Sequence, residues 1–285
     1  MTKAKKYFEK AKKETFALGA FNAANLETIK AITSAAKKLL SPILIEFSPG
    51  EIRFLGIQRA VKIIRSFEEE LQIPIILNLD HGTDPGEIKK AVDAGFDYVH
   101  FDGGELPLDE AIKQGKELVK YAHRKGVLIE GEIDHIEGSS ADYTKEKPNV
   151  DPNLYTDPRK AKRFVEETGV DTFASFVGNL HGIYSENKHL NLDLLREIHN
   201  IIPRTYLSLH GGSGVTENDI AEAIKNGIVK INVNSEMRIA FKMTLQKVLN
   251  NSTEIAVYKF MEKPIEEVAK VVESKIKLFG SSGKI

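Results

Sequence analysis

The alternation of β-rich runs with helices is the feature of this chain that most limits its fold. Eight short runs have the apolar, β-branched composition of strands, and a segment with helical periodicity follows each of them. The eight runs are "FALGAFN", "PILIEFS", "PIILNLD", "YVHFDGG", "VLIEGEI", "TFASFVG", "TYLSLHG" and "VKINVNS". Eight such units over roughly 250 residues predict a (β/α)8 (TIM) barrel.

Residues that start and end helices between the runs support the same fold. The runs read as continuously apolar, which is typical of parallel strands that helices cover. Asp84 before Pro85 predicts a helix start, and Thr216 resembles the first residue of a capping box. Four glycines stand where a helix should end with positive φ: Gly95, Gly126, Gly169 and Gly227.

An open, doubly wound sheet is the alternative fold, but it predicts an early glycine-rich dinucleotide motif that this sequence lacks. Two segments exceed the barrel pattern. Residues 134 to 157 form a long polar loop after the fifth strand, of the kind that serves as a lid. The residues after the eighth strand predict extra C-terminal helices. No composition change divides the chain, so we expect a single domain over residues 1–285.

Composition excludes several kinds of function. The net charge of −1 argues against binding to nucleic acid or to an anionic membrane surface. The absence of cysteine excludes disulfides, thiolate nucleophiles and cysteine-bound metals. No apolar run approaches the roughly 18 residues of a membrane span. The basic N-terminus lacks the apolar core of a signal peptide, so we expect a cytoplasmic protein.

The polar residues at the strand ends indicate where the chemistry lies, because barrel active sites form at the C-terminal ends of the strands. These residues are Asp80, His81, Asp102, Glu130, Glu132, His181, His210, Asn232 and Ser235. Three of the eight histidines are among them, each followed by glycine. Three imidazoles with one open position are the ligand set of a catalytic zinc site. His100, inside the fourth strand, is expected to be a packed core residue.

A phosphate site is predicted beside the histidines. "HGGSG" precedes a capped helix, and backbone N–H groups at a helix entrance bind phosphate. Barrels commonly hold phosphate in the loops after strands seven and eight, and "NVNS" follows the eighth strand.

The motifs resemble those of a known family over nearly the whole chain. "LDHG", "GEI", "GNLHGIY", "LHGGSG", "KINVNSEMRIAF" and the ending "SKIKLFGSSGK" resemble the class II, metal-dependent ketose-bisphosphate aldolases. The eighth-strand motif is most similar to the branch that contains fructose- and tagatose-bisphosphate aldolases. The resemblance implies cleavage of a ketose phosphate to dihydroxyacetone phosphate and an aldehyde, and a homodimer or homotetramer.

The resemblance also implies roles for single residues. His81, His181 and His210 would bind Zn²⁺, Glu132 would be a further or alternative ligand, and Asp80 would transfer a proton to or from the substrate oxygen. The residues that would hold dihydroxyacetone phosphate are Gly182, Gly211, Gly212, Ser213, Asn232, Val233, Asn234 and Ser235.

The loop after the fifth strand departs from the family pattern. Asp134 and Glu137 replace glycines, and Ser140 stands where the family has the glutamate that takes the substrate C–H proton. Serine is no base without help. Glu137 and Asp142 are the candidates to have replaced that glutamate, with Glu137 favoured for its longer reach.

Two other functions stay open at this point. One is a Schiff-base aldolase, for which Lys230 is the candidate strand lysine. The other is a sugar-phosphate-binding barrel that has lost catalysis, which the serine at position 140 suggests.

Overall fold

The computed structural model describes residues 1–134 and 139–285 and contains a closed barrel of eight parallel strands. Each predicted run supplies one barrel strand, and strands that follow one another along the chain are neighbours in the barrel, so the predicted (β/α)8 fold is confirmed. The barrel strands are β1 (Leu18–Asn22), β2 (Ile43–Phe47), β3 (Ile75–Gly82), β4 (Tyr98–Asp102), β5 (Leu128–Glu132), β7 (Thr172–Ala174), β9 (Tyr206–Leu209) and β10 (Ile228–Val233).

Helices surround the barrel in the order that the sequence predicts. They are α1 (Lys3–Glu14), α2 (Leu26–Leu39), α3 (Pro49–Leu55), α4 (Ile57–Leu71), α5 (Pro85–Ala94), α6 (Leu108–His123), α7 (Pro158–Thr168), α8 (Leu192–Ile201), α9 (Glu217–Lys225), α10 (Ser235–Asn251), α11 (Val257–Phe260) and α12 (Glu262–Leu278). The extra C-terminal helices are therefore confirmed. Among the residues described, no helix has the length and apolar character to cross a membrane.

Local signals of the sequence account for these boundaries. The Asp84 side chain accepts a hydrogen bond from the Gly86 N–H, and Thr216 accepts one from the Asp219 N–H. All four predicted turn glycines have positive φ, between 72° and 100°. Glycine adopts this conformation at no steric cost, which allows each helix to end and the next strand to begin at once.

Helix α1 closes the N-terminal end of the barrel. Tyr7, Phe8 and Ala11 are buried there. The Phe8 ring meets the Tyr98 ring edge-on, with centroids 5.2 Å apart. In the described part of the chain, this leaves the C-terminal end of the barrel for a site.

The barrel interior differs from the continuously apolar strands that the sequence suggests. Side chains alternate between the two faces of a strand, and the outward ones pack against helices. The inward ones at mid-barrel are polar and fully buried: Glu46, Asn78, His100, Glu130, Ser208 and Lys230. The Lys230 ammonium lies 2.7 Å from a Glu130 carboxylate oxygen, so the layer is held by an internal ion pair.

The long loop after β5 is confirmed, and it carries structure of its own. Strand β6 (Asp142–Tyr143) pairs in parallel with β8 (Ile183–Tyr184), and the rings of Tyr143 and Tyr184 stack at 5.2 Å. This small sheet joins the described part of the loop to the segment after β7. Glu137, a predicted base, lies outside the described residues.

Candidate active site

The end of β3 carries an acid and an imidazole that both face the cavity at the open end of the barrel. Neighbouring side chains of a regular strand point to opposite faces. Here the pairing of β3 with β4 shifts register between Leu79 and Gly82, and His81 adopts a left-handed backbone with φ 49°. This bulge turns His81 to the same side as Asp80. Both residues line a cavity of about 290 Å³.

The three predicted histidines lie close together: His81 and His181 line this cavity, and His210 is buried beside His81. His81 Nε2 and His210 Nδ1 face each other at 3.1 Å. The His181 ring centroid is 5.2 Å from that of His81 and 6.3 Å from that of His210. Two imidazole nitrogens on one tetrahedral zinc ion are about 3.3 Å apart. The His81 and His210 nitrogens are therefore spaced like two ligands of one ion, and possible ligand atoms of Asp80, His81, His100 and His210 lie within 4.8 Å of one another.

Carboxylates orient two of these rings. Asp102 Oδ2 lies 2.8 Å from His81 Nδ1, and Glu130 Oε1 lies 2.8 Å from His210 Nε2. Each ring is thereby turned so that its other nitrogen points into the site, as is usual for histidines that bind metals. The sequence placed both carboxylates at strand ends without assigning them this task.

The electrostatics favour metal binding. Burial and the neighbouring imidazole of His81 lower the pKa of His181 to about 3, and burial with Lys230 lowers the pKa of His210 to about 3. Both rings are therefore neutral and able to donate an electron pair. Burial alone would lower the pKa of His81, but Asp80 and the bond to Asp102 raise it to about 9. A bound cation would displace that proton.

His100 is fully buried, as expected of a core residue, but it also forms a wall of the site. Its ring centroid lies 4.9 Å from that of His81 and 4.8 Å from that of His210. Its Nδ1 accepts a hydrogen bond from the His81 N–H. Glu132 Oε2 is 3.1 Å from His100 Nε2 and 4.0 Å from His81 Nδ1, and burial raises the pKa of Glu132 to about 7. Glu132 thus pairs with His100 and lies farther from the predicted metal ligand His81.

Asp80 is held in one orientation by two amides. Asn22 Nδ2 donates to Asp80 Oδ2 and Asn232 Nδ2 to Asp80 Oδ1, both at 3.1 Å. Burial alone would raise the pKa of Asp80, but the charge of His81 holds it well below the usual range. Asp80 is therefore a positioned carboxylate beside the histidines.

Most of the predicted phosphate-binding residues meet on one side of the cavity. Those that line it are Gly182, Gly211, Ser213, Asn232, Asn234 and Ser235. Within the described part of the chain, the buried Ser213 Oγ has no hydrogen-bond partner, and α10 starts at Ser235, which lines the cavity. Gly212 and Val233 are not among the lining residues, since the Gly212 N–H donates to Asn232 O and Val233 packs into the outer core.

The described lid residues place serines, not carboxylates, at the cavity. Ser139 and Ser140 line it, together with Arg238 from α10. Asp142 is exposed, accepts hydrogen bonds from Thr144, and is not among the lining residues. The structure therefore does not bring Asp142 to the site.

Lys230 does not have the surroundings of a Schiff-base lysine. Burial alone would lower its pKa, but Glu130 and Glu46 raise it. It lies in the polar layer below the cavity and is not among the residues that line it. A nucleophilic amine must be neutral and reachable, and Lys230 is neither.

Comparison with known proteins places this geometry in a family. The sequence model of the family described as "Fructose-bisphosphate aldolase class-II" matches residues 2–284. The chain is 35% identical over 278 residues to a fructose-bisphosphate aldolase of Staphylococcus aureus (strain Mu50), with 96% of this chain and 95% of that one covered. It is 34% identical over 295 residues to that of Streptococcus pyogenes serotype M6, with 99% and 98% covered.

A solved structure agrees in fold. The crystal structure of the YdjI aldolase from Escherichia coli K12 superposes with a TM-score of 0.85 at 27% identity, covering 99% of this chain and 98% of that one. Because the family match spans both the barrel and the loops that carry the histidines, the chain belongs to the class II fructose-bisphosphate aldolases, a family of metal-dependent lyases.

Proposed function

We propose that this chain reversibly cleaves a ketose 1,6-bisphosphate to dihydroxyacetone phosphate and an aldehyde, with one zinc ion held by His81, His181 and His210. The observation that carries the proposal is the pair of ring nitrogens that face each other at 3.1 Å beside Asp80. Neutral imidazoles oriented by carboxylates suit zinc. Glu132 is placed to serve as a further ligand after a small side-chain movement.

Asp80 has the position and charge of a general base in the cleavage direction. A bound zinc ion would supply Lewis acidity toward the substrate carbonyl. Asp80 accepts the proton of the C4 hydroxyl as the carbon–carbon bond breaks, and returns it during condensation. Asn22 and Asn232 donate to one carboxylate oxygen each, which fixes the orientation of Asp80 and stabilises its ionised form.

The phosphate of the dihydroxyacetone half would lie on the loops after β9 and β10. Gly182, Gly211 and Ser213 supply backbone N–H groups and a hydroxyl, and the residues Asn232–Ser235 supply the entrance of α10. Gly212 and Val233 contribute through their backbone at most, because neither side chain reaches the cavity. The unpartnered Ser213 hydroxyl supports this placement.

Arg238 would provide a cation for a second phosphate at the rim of the cavity. Arg238 lines the cavity next to Ser48 and Ser140, with one guanidinium nitrogen 2.8 Å from Glu51. This group favours a bisphosphate over a monophosphate. Fructose and tagatose 1,6-bisphosphates differ only in configuration at C4, the carbon whose hydroxyl meets Asp80, so both must be assayed.

The test is a cleavage assay with each bisphosphate, in which released dihydroxyacetone phosphate is reduced by a coupling enzyme and bound metal is measured on the same sample. We expect turnover that a chelator abolishes, that zinc restores, and that borohydride with substrate does not affect. Zinc and phosphate binding without cleavage of either sugar would instead favour the non-catalytic barrel. Inactivation by borohydride would favour Schiff-base chemistry.

A further inference from the structure

Lys188 is a buried lysine for which the proposed reaction has no use. The residue is 2% exposed, so solvent does not serve as the main hydrogen-bond partner of its ammonium. The ammonium instead donates to three backbone carbonyls: Leu180 O at 2.5 Å, Gly182 O at 3.2 Å and Gly211 O at 2.7 Å. An ammonium has three N–H donors and no acceptor. The three carbonyl oxygens, which we call the carbonyl cage, therefore accept all of its hydrogen bonds.

The three carbonyls belong to the two loops that carry metal-site histidines. Leu180 and Gly182 flank His181 on the loop after β7, and Gly211 follows His210 on the loop after β9. The loops touch here: a Cβ at Gly211 would lie 2.3 Å from Leu180 O. One ammonium therefore holds together the chain segments that position two of the three histidines.

The backbone of Lys188 is attached to the same place. Its N–H donates to Gly214 O at 2.9 Å, and the Thr216 N–H donates to its carbonyl at 3.4 Å. The backbone of Lys188 is hydrogen-bonded to Gly214 and Thr216, and its ammonium is hydrogen-bonded to the loops of His181 and His210. The side chain is therefore fixed at both ends.

The cage also lies behind the proposed phosphate site. Gly182 and Gly211 line the cavity while their carbonyl oxygens point to the ammonium. Converging carbonyl oxygens repel one another and repel an anion, and a cation among them removes both effects.

We propose that Lys188 is a positioning residue whose ammonium acts as a built-in monovalent cation, fixing the loops of His181 and His210 in the geometry that binds metal and phosphate. The phosphate part of this inference rests on the proposed function. The metal part rests on the carbonyl cage alone.

The experiment tests whether a free ammonium ion can replace the ammonium group of Lys188. Lys188→Ala opens a carbonyl cage of ammonium size, and Lys188→Met fills the same space with an apolar chain. Lys247→Ala, at an exposed lysine, is the control. Zinc affinity is measured by chelator competition and inorganic phosphate affinity by calorimetry, each in ammonium chloride and in tetramethylammonium chloride at equal ionic strength.

We expect the parent and Lys247→Ala to bind alike in both salts. In tetramethylammonium chloride, Lys188→Ala should bind zinc and phosphate about 10- to 100-fold more weakly, the range expected for lost charge-assisted hydrogen bonds. Ammonium should restore most of that loss in Lys188→Ala and none in Lys188→Met. Parent-like binding by Lys188→Ala in tetramethylammonium, or an equal loss in both salts, would overturn the proposal.

Lys188→Gln covers the case in which the alanine variant does not fold. It keeps two N–H donors for the carbonyls and replaces the charged ammonium with a neutral, shorter amide. We expect weaker zinc binding than in the parent, and parent-like binding would contradict a role for the cation. If the parent cleaves no ketose phosphate, the proposed function fails while the zinc measurements still decide the role of Lys188.

Discussion

A single residue in an unusual conformation brings the reacting groups together. His81 has φ 49°, a region that residues other than glycine avoid at a cost of about 1–3 kcal/mol. Without this conformation His81 would point away from Asp80, toward the helices. The metal ligand and the proposed base are therefore adjacent in sequence and in space because the strand is strained at this residue.

Asp80→Asn tests the proton-transfer role. The change keeps the shape but removes the basic oxygen pair, so we expect cleavage to fall about 10²–10⁴-fold while zinc stays bound. Turnover and metal content should be measured on the same preparation. Loss of metal along with activity would show that Asp80 mainly supports His81, and unchanged turnover would exclude Asp80 as the base.

Asp102→Asn tests the orientation of the metal ligand. The Asp102 carboxylate faces His81 Nδ1 at 2.8 Å and holds the ring in place. We expect zinc affinity to fall about 10- to 100-fold, the usual effect of losing such a partner. His81→Ala, which removes the ligand itself, should lose more. Chelator competition compares the two, and equal affinities for Asp102→Asn and the parent would refute the role.

The lid is predicted to supply the group that takes the C–H proton. Asp142 is exposed and bonded to Thr144, so the proposal now favours Glu137. Glu137→Gln should slow exchange of the dihydroxyacetone phosphate C–H proton with deuterated solvent about 10²–10⁴-fold. Asp142→Asn is the matched control and should exchange like the parent. Parent-like exchange in both variants would exclude a base at either position.

At the scale of elements, the strands of this barrel enclose a layer of buried polar side chains. Inward residues such as His100, Glu130 and Lys230 form a buried polar network under the site. Breaking a buried ion pair leaves an uncompensated charge, which explains why Lys230 serves the fold and not the chemistry.

The pH dependence of stability should report this layer. Burial, with the charge of Asp80, raises the pKa of Glu46 to about 8. The folded state then binds a proton that the unfolded state releases near pH 4.3, so stability falls between these values as pH rises, by at most about 1.4 kcal/mol per unit. Urea unfolding at pH 5, 6.5 and 8 measures this slope.

Glu46→Gln should lose that contribution, so its stability relative to the parent should rise from pH 5 to pH 8. Glu117→Gln, at an exposed glutamate, should run parallel to the parent. Parallel curves for Glu46→Gln as well would show that Glu46 is ionised in the folded barrel.

At the scale of the whole molecule, the N-terminal and C-terminal segments contact each other. The Ala17 N–H donates to Phe279 O at 2.9 Å, and Lys284 pairs with Glu14 at 2.8 Å. Helix α12 also contacts α2 through Lys38 and Glu273. These links support our prediction that residues 1–285 form one domain.

The molecule is also predicted to form a homodimer or homotetramer. Met243, Ile255, Val257 and Tyr258 are more than half exposed near the end of α10 and the segment after it. Exposed apolar groups mark a contact surface where they form one contiguous patch, and we predict that these four residues do so. Tyr258→Asp should therefore lower the sedimentation mass, whereas Phe54→Asp, at an exposed phenylalanine elsewhere, should not. A monomeric parent would refute the prediction.

Much of the fold and part of the site could be predicted from local sequence. Strand and helix periodicity, caps and turn glycines act over a few residues, which is why all eight strands were found. Parallel barrels bring strand ends together, so His81, His181 and His210 could be placed at one end before their contacts were known.

Only the tertiary structure decided how these residues meet. The bulge at His81, the place of His100 in the wall and the carboxylate behind each ring depend on residues far apart in sequence, such as His81 and His210. The carbonyl cage of Lys188 joins loops that no local pattern connects. The physical reason is that backbone periodicity is a short-range property, whereas side-chain direction, burial and pKa arise from long-range packing.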